Sequence, residues 1–136
     1  MSRTLVICKP DAVERGLVGE IVRRLEVKGL RLVAAELRTI DDATAARHYE
    51  EHAGKPFYAG LMAFITRSPS FVLVVEGPPD TWQMVRNLLG PTDPAQAPPG
   101  TVRGDFGTTV GENLAHGSDS AAAAAREIAI FFPGLD

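Results

Sequence analysis

The stretch Phe71-Val72-Leu73-Val74-Val75 is an unbroken apolar run that ends at Glu76, Gly77 and two prolines. A strand with one face in solvent alternates apolar and polar residues, whereas a strand covered on both faces does not. We therefore predict a buried central strand here. The run is far too short to cross a membrane, which takes about 20 apolar residues.

Three further apolar runs predict the other strands: Leu5–Cys8, Leu30–Thr39 and Leu114–His116. In the second run the apolar alternation changes phase near Val33–Ala35, which indicates a β-bulge. Helices are predicted where apolar residues recur every three or four positions. These helical segments are Val18–Lys28, Asp41 to about His52, Phe57–Ile65, a segment after Asp80, and Ala121–Phe131. The mixture of both element types indicates an α/β protein.

The stretch Gly90–Gly107 contains four prolines and shows no periodicity. A loop of this length inside a compact domain is usually functional. We therefore expect it to contribute to a binding site.

The composition narrows the class of protein further. The chain has 136 residues, 45% of them hydrophobic and 23% charged, a net charge of −3 and one cysteine, Cys8. This length suits a single domain, residues 1–136, and one cysteine forms neither an internal disulfide nor a cysteine metal cluster. The first strand follows the N-terminus without a signal-peptide pattern, so we expect a cytoplasmic protein without a membrane partner. The acidic balance argues against a nucleic-acid partner.

His48 and His52 lie four residues apart on one predicted helix, a spacing that suits a metal ion. The residues between them do not make the pattern His-Glu-x-x-His, and no third ligand is apparent. We therefore expect both histidines on a solvated helix face, and we expect no metal ion held by the protein's own side chains.

His116 is the main candidate for a reactive side chain. Gly117 lets a ligand approach the backbone closely, and Ser118 and Asp119 add polar groups. A neutral imidazole, with an ordinary pKa near 6.5, acts as a nucleophile at pH 7 without a separate base. A histidine after two apolar residues is nevertheless more often packed or on the surface, so the pattern alone leaves both interpretations open.

Lys9, Arg86 and Arg103 lie in three separate segments. Each one alone is typical of a surface cation. Together they would suit a polyanion bound by a chain whose net charge otherwise repels one. Their spacing in the sequence does not show whether they converge.

Five blocks of sequence resemble the nucleoside diphosphate kinase family in its shorter bacterial form. They run in family order along the chain: Thr4–Asp11 ending in Lys9-Pro10-Asp11, Arg15–Ile21, Lys55-Pro56-Phe57, Gly100–Phe106, and the octapeptide Asn113-Leu-Ala-His-Gly-Ser-Asp-Ser120. The resemblance implies a ferredoxin-like βαββαβ fold, in which helices pack on one face of a four-stranded antiparallel sheet. It also implies a homo-oligomer, either a hexamer or a tetramer.

The resemblance further implies an enzyme that moves the γ-phosphoryl group of a nucleoside triphosphate, typically ATP, to a nucleoside diphosphate. His116 would carry the group as a phosphohistidine in a ping-pong cycle with broad base specificity. Mg²⁺ carried by the nucleotide would help to neutralise the phosphates. The residues implied in catalysis are His116, Lys9, Glu127, Ser118 and Tyr49, and those implied in nucleotide binding are Lys9, Phe57, Leu61, Arg86, Thr92, Arg103, Val110 and Asn113.

The same resemblance divides the roles among these residues. Glu127, with Ser118 beside it, would hold the histidine ring. The remaining roles are ribose binding by Lys9 and Asn113, phosphate binding by Arg86, Thr92 and Arg103 near Tyr49, and base stacking by Phe57 and Val110 beside Leu61.

Some positions depart from the family pattern: Ala12, the stretch Arg67-Ser68-Pro69-Ser70, Pro91 and Glu112. Ala12 stands where glycine is expected, so a positive φ there would be strained. Glu112 adds a negative charge beside the nucleotide site, which we expect to weaken binding modestly. An alternative function is a nucleotide-binding regulatory or scaffold protein with negligible turnover, which the intact set of catalytic residues disfavours.

Overall fold

The computed structural model describes residues 1–136, built around a four-stranded antiparallel sheet. The strands are β1 (Ser2–Cys8), β2 (Arg31–Arg38), β3 (Ser70–Gly77) and β4 (Ala115–Gly117), in the spatial order β2-β3-β1-β4. Every neighbouring pair is antiparallel, as predicted. The pairing of β2 with β3 shifts between Leu32 and Ala34, which confirms the predicted bulge.

Seven α-helices join and flank the strands: α1 (Pro10–Glu14), α2 (Val18–Val27), α3 (Asp42–His48), α4 (Tyr58–Thr66), α5 (Thr81–Leu89), α6 (Val102–Phe106) and α7 (Ala121–Phe131). The predicted helix from Asp41 to about His52 is too long, because α3 ends at His48 and a separate 3₁₀ turn covers Glu50–His52. None of the seven combines the length and apolar character that crossing a bilayer requires.

The stretch Gly90–Gly107 contains more regular structure than its sequence indicates. A 3₁₀ turn covers Pro94–Gln96, and α6 follows it. The Thr101 hydroxyl accepts the N–H of Gly104, which satisfies a free donor in the first turn of α6. These short elements escape a periodicity search because neither completes two helical turns.

Side chains that alternate along the central strands supply two apolar layers. In β1, Val6 and Cys8 pack in one layer with residues of α2 and α5. Leu5 and Ile7 pack in the other layer with residues of α3, α4 and α7. Helices therefore cover both faces of the sheet, so the implied one-sided arrangement is wrong. The prediction that Phe71–Val75 is covered on both faces is confirmed.

The segment after β1 and the segment before β4 meet at one end of the sheet. Leu114 has a positive φ of 77°, and its N–H donates to a carboxylate oxygen of Asp11 at 3.1 Å. This hydrogen bond ties the unusual backbone before β4 to α1. Ala12 also lies in α1 and does not have a positive φ, so the expected strain is absent.

Candidate active site

A cleft of about 490 Å³ opens at this end of the sheet. Its lining comes from the segment after β1, the end of α3, α5, α6, β4 and the start of α7. The structure brings eight of the residues singled out from the sequence into this lining: Lys9, Tyr49, Arg86, Thr92, Arg103, Asn113, His116 and Glu127. Side chains from six distant segments of the chain therefore face one cavity.

His116 lies on β4, where it pairs with Ile7 of β1. Its Nε2 is 2.8 Å from Oε1 of Glu127, and the side chain is 23% exposed. The Ser118 hydroxyl donates to the same carboxylate oxygen at 2.7 Å. The ring is therefore held from one side by a buried carboxylate while part of it remains open to the cleft.

The ionisation of Glu127 decides the tautomer of His116. Burial opposes the charged form of Glu127, but the hydrogen bond and charge of His116, with the Ser118 hydroxyl, hold its pKa below the ordinary value. An ionised carboxylate only accepts hydrogen bonds, so Nε2 of a neutral ring must donate the proton. The lone pair is then on Nδ1.

Lys9 and Asn113 form a second polar pair in the cleft. The Lys9 ammonium donates to Oδ1 of Asn113 at 3.0 Å, and Nδ2 of Asn113 donates to the Thr92 carbonyl at 3.0 Å. Burial and the charge of Arg103 lower the pKa of Lys9 to about 8, although Asp11 opposes this shift. Lys9 is therefore charged at pH 7 but loses its proton within an accessible pH range.

Two guanidinium groups approach the cleft from α5 and α6. The Arg103 group is buried and donates to the carbonyls of Gly90, Asn113 and Ala115. Burial and the charge of Arg86 lower the pKa of Arg103 to about 10. Arg86 itself donates to the Gly117 carbonyl at 3.0 Å. Because a guanidinium has five N–H donors, both groups keep free donors for an anion.

The residues assigned to the base lie outside the cleft lining. Phe57 and Val110 are 51% and 54% exposed. The Phe57 ring contacts His52, which does line the cleft, with ring centroids 5.3 Å apart. Leu61 packs instead against the apolar layer beneath α4. Phe57 and Val110 are thus open to solvent and Leu61 is packed, and none of the three lines the cleft.

The expected solvated face for His48 is wrong. His48 is buried, and its ring meets the His116 ring edge to face, with centroids 4.7 Å apart and an interplanar angle of 87°. Burial, followed by the charge of His116, lowers the pKa of His48 to about 3, so the ring is neutral at pH 7. The spacing of His48 and His52 predicts one shared helix face. Because α3 ends at His48, the two histidines do not share a helix face.

His52 and Arg126 also line the cleft and were not singled out as site residues. The Arg126 guanidinium donates to the carbonyls of Arg47 and His48 at 3.1 and 3.4 Å. Arg126 therefore connects α7 to the last turn of α3, where free carbonyls accept a cation well. No pattern in the sequence links these two segments.

Glu112 is held by a neighbouring arginine. Each oxygen of its carboxylate accepts a hydrogen bond from Arg67, which also pairs with Glu14. Arg67 holds the pKa of Glu112 below its ordinary value. Arg67 therefore offsets part of the negative charge of Glu112, but it is shared with Glu14, so the three side chains together keep a net negative charge.

The fold and this cleft define a class of protein. Cationic side chains line the same cleft as a histidine whose Nε2 is held by a carboxylate, an arrangement that suits a phosphotransferase. The comparisons with known proteins agree. The family model described as nucleoside diphosphate kinase matches residues 2–136.

Individual relatives cover almost the whole chain. A nucleoside diphosphate kinase of Thermomicrobium roseum is 58% identical over 132 residues, or 97% of this chain and 88% of that protein. A structure of a halophilic nucleoside diphosphate kinase from Halobacterium salinarum, in complex with CDP, matches with a TM-score of 0.93 and 51% identity over 96% of this chain and 87% of that one. A family member from Babesia bovis matches with a TM-score of 0.95 and 46% identity over 99% and 91% of the two chains. The chain belongs to the nucleoside diphosphate kinase family.

The family implies a divalent cation associated with the nucleotide. The side chains of the cleft show whether the protein itself offers ligands that suit this cation. Mg²⁺ prefers oxygen ligands in an octahedral arrangement. The only group of potential ligands in the cleft is His48, His116 and Glu127, which offers two nitrogens and one carboxylate. The protein side chains therefore do not suit Mg²⁺ by themselves. They suit a cation that is already bound to phosphates.

Proposed function

We propose that this enzyme transfers the γ-phosphoryl group of a nucleoside triphosphate to a nucleoside diphosphate by a ping-pong mechanism, with His116 as the phosphorylated residue. The observation that carries the proposal is the 2.8 Å contact between Nε2 of His116 and Glu127 inside a cationic cleft. That contact leaves Nδ1 with a lone pair for attack.

In the first half-reaction, Nδ1 of His116 forms a bond to the γ-phosphorus, and the bond from that phosphorus to the bridging oxygen breaks. The nucleoside diphosphate leaves with the electron pair of that bond. Glu127 stabilises the positive charge that develops on the ring through the Nε2–H hydrogen bond. The second half-reaction reverses these steps with a different diphosphate.

Charge neutralisation supplies most of the rate in phosphoryl transfer, because the protein contributes little covalent chemistry beyond the nucleophile. Arg86 and Arg103, with their free N–H donors, and Lys9 are the cations placed to do this. Mg²⁺ carried by the nucleotide would neutralise further charge on the phosphates.

Nucleotide binding follows from the polar and aromatic residues around the cleft. We propose that Lys9 and Asn113 bind the ribose hydroxyls, and that Thr92 and Tyr49 act near the phosphates. Phe57 and Val110, with Leu61 beside them, would stack on the base. Stacking uses the π-face that every base has, which supports broad base specificity. A CDP complex of a relative supports a pyrimidine nucleotide among the ligands.

Three further properties are proposed at the level of the whole protein. Residues 1–136 form one domain, because β1 and β3 contribute side chains to both apolar layers. The protein assembles as a homo-oligomer, a hexamer or a tetramer, and works in the cytoplasm without nucleic acid or membrane. Light scattering after size-exclusion chromatography measures the subunit number directly.

A second candidate is a nucleotide-binding scaffold with this fold but no turnover. The chain retains Lys9, Arg86, Arg103, Asn113, His116 and Glu127. Hydrogen bonds join Lys9 to Asn113, Arg103 to the Asn113 carbonyl, and His116 to Glu127. A protein that only binds nucleotide has no need of the carboxylate that fixes the histidine tautomer, so this candidate is disfavoured.

The test is a phosphoenzyme assay. Incubation with γ-labelled ATP and Mg²⁺ should give a labelled protein whose label is stable to base and lost in acid, as expected for a phosphohistidine. Addition of unlabelled GDP should discharge the label into GTP. The His116→Ala variant should take up no label.

His52→Ala is the matched control, because His52 lines the same cleft but has no contact with Glu127. This variant should still become labelled. Label that persists in His116→Ala, or that does not pass to GDP, contradicts the proposal. Nucleotide binding without any label would favour the scaffold.

A further inference from the structure

Three potential metal ligands meet beside the proposed nucleophile. One ligand atom each from His48, His116 and Glu127 lies within 4.8 Å of the other two. His48 and Glu127 are buried, and only His116 is partly exposed. The group therefore has three inward-facing donors and one open side, toward the cleft.

No hydrogen bond of the His48 side chain explains why a histidine is buried at this position. Its Nδ1 is buried without any partner, although buried polar atoms nearly always have one. The ring is fixed between Tyr49, Phe131 and His116, with centroid distances of 4.7, 5.5 and 4.7 Å. A buried imidazole with one nitrogen that has no partner is thus held against the His116 ring.

We propose that His48, His116 and Glu127 form a binding site for a divalent cation of the zinc type, and that occupation of this site switches off phosphoryl transfer. Two imidazole nitrogens and one carboxylate oxygen are a usual ligand set for a zinc ion that keeps an open fourth position. The nitrogen donors favour zinc, cobalt and similar cations over Mg²⁺. The site therefore differs in chemistry from the nucleotide-bound cation.

Metal binding requires the three ligand atoms, which now lie within 4.8 Å of one another, to adjust their separations. Zinc bonds of about 2.0–2.1 Å place tetrahedral ligand atoms about 3.3 Å apart. The pair Nε2 of His116 and Oε1 of Glu127 is already at 2.8 Å, so the cation would replace the shared proton between them. The charges of Lys9 and Arg126 oppose the cation, so we expect weaker binding than in a structural zinc site.

Inhibition follows from the tautomer, and this step depends on the proposed function. A cation on Nε2 uses the lone pair of that nitrogen, and the ring proton moves from Nε2 to Nδ1. Nδ1 then has no lone pair with which to attack the γ-phosphorus. Metal binding and phosphorylation of His116 should therefore exclude each other.

The test uses Co²⁺ as a visible probe for the spectroscopically silent Zn²⁺. Titration of the nucleotide-free protein with Co²⁺ should give the intense visible absorption of a four-coordinate ion, which Zn²⁺ removes and excess Mg²⁺ does not. His48→Phe, which keeps a ring but removes both nitrogens, should lower the affinity at least tenfold. His52→Gln removes a histidine of the same cleft outside the group and should bind Co²⁺ like the unaltered protein.

The absence of a four-coordinate spectrum overturns the proposal, as does unchanged affinity in His48→Phe or lost affinity in His52→Gln. If His48→Phe does not fold, Glu127→Gln carries the test, since an amide is a much poorer metal ligand than a carboxylate. The phosphoenzyme yield, measured at free Zn²⁺ concentrations set by a metal buffer, should fall in the unaltered protein and in His52→Gln. If Co²⁺ binds as expected but the protein without Co²⁺ or Zn²⁺ takes no label from ATP and Mg²⁺, the proposed function fails and the metal site stands.

Discussion

At the residue scale, the proposed chemistry depends on the charge of the Glu127 carboxylate more than on its shape. The carboxylate accepts from both His116 and Ser118, so its position is fixed from two sides. A glutamine at this position could keep the same shape and accept the same N–H. It would lack the negative charge that stabilises a positively charged ring.

Glu127→Gln should therefore lower kcat more than it changes the KM for nucleotide. Losing a carboxylate partner of a reactive histidine typically costs about 10–100-fold, and we expect a fall in kcat of that order. Steady-state kinetics with ATP and a pyrimidine diphosphate measure both constants. Glu51→Gln is the control, because Glu51 lines the cleft without bonding His116, and it should leave kcat nearly unchanged. Equal losses in the two variants would contradict the assigned role.

Lys9 gives a pH dependence whose sign follows from its pKa of about 8. An anionic nucleotide binds the protonated ammonium better, so kcat/KM should fall as the pH rises through about 8 in the free enzyme. Lys9→Arg should move this fall to higher pH, because a guanidinium keeps its proton there. A pH profile of kcat/KM that is the same in both proteins would show that another group causes it.

The same shift has the opposite consequence for folding. The pKa of Lys9 is lowered from 10.5 in the folded state, so the unfolded chain binds more protons between about pH 8 and 10.5. Its contribution to stability therefore rises with pH across that window and is constant outside it. Activity and stability thus respond in opposite directions to one buried ammonium.

At the element scale, the sequence predicts the sheet well because the residues of β1 and of β3 are enough by themselves to identify each as a strand. The apolar run Phe71–Val75 needs no other part of the chain to identify it as a central strand, and the phase change in β2 is likewise local. The convergence of Lys9, Arg86 and Arg103 is different, because contacts between distant segments decide it. The resemblance of the octapeptide to a known family supplied what spacing alone could not.

His48 shows where such prediction stops. Its spacing from His52 suggested one helix face, but the helix ends between them and turns His48 into the interior. Helix ends are the least certain part of a prediction from sequence, and beyond a helix end the helical periodicity no longer predicts which way a side chain points. Here α3 ends at His48, and His48 contacts the His116 ring.

Gly104 in α6 is needed because of its close approach to the preceding loop. A Cβ at this position would lie 1.9 Å from the Pro98 carbonyl oxygen, which is backbone and cannot move aside easily. Gly104→Ala should therefore displace α6, lower the melting temperature and raise the KM for nucleotide, because Arg103 lies next to it. Overpacking of this kind costs about 1–3 kcal/mol.

Gly60→Ala is the matched substitution, because Gly60 lies inside α4 with no atom near its missing Cβ. Alanine there should stabilise the helix by up to about 1 kcal/mol and leave the KM unchanged. Thermal unfolding followed by circular dichroism compares the two variants. A Gly104→Ala protein that melts with the unaltered one would show that α6 adapts without cost.

At the scale of the whole molecule, the cationic cleft has to exist in a chain with a net charge of −3. Several other arginines form ion pairs outside the cleft, whereas Arg126 lines it. Glu76 binds Arg3 and Arg31, Glu20 binds Arg24, and the paired carboxylates therefore lie on other surfaces. The cleft is lined by four cationic side chains, Lys9, Arg86, Arg103 and Arg126, and by three carboxylates, Glu51, Asp119 and Glu127. The cations slightly outnumber the carboxylates there, and because nucleotide phosphates are anions, salt should weaken nucleotide binding.

The two apolar layers make a final prediction about cooperativity. Val72 and Val74 of β3 point into the layer of α3, α4 and α7, whereas Leu73 and Val75 point into the layer of α2 and α5. If one layer loses its packing, it exposes a strand whose other face supports the second layer.

Denaturant unfolding should therefore be a single transition, with the same midpoint by Trp82 fluorescence and by far-ultraviolet circular dichroism. Midpoints that differ would mean that the layers unfold separately, and the proposal of one domain would then fail. Protein concentration must be varied in the same experiment, because dissociation of an oligomer would move both midpoints together whereas independent layers would separate them at every concentration.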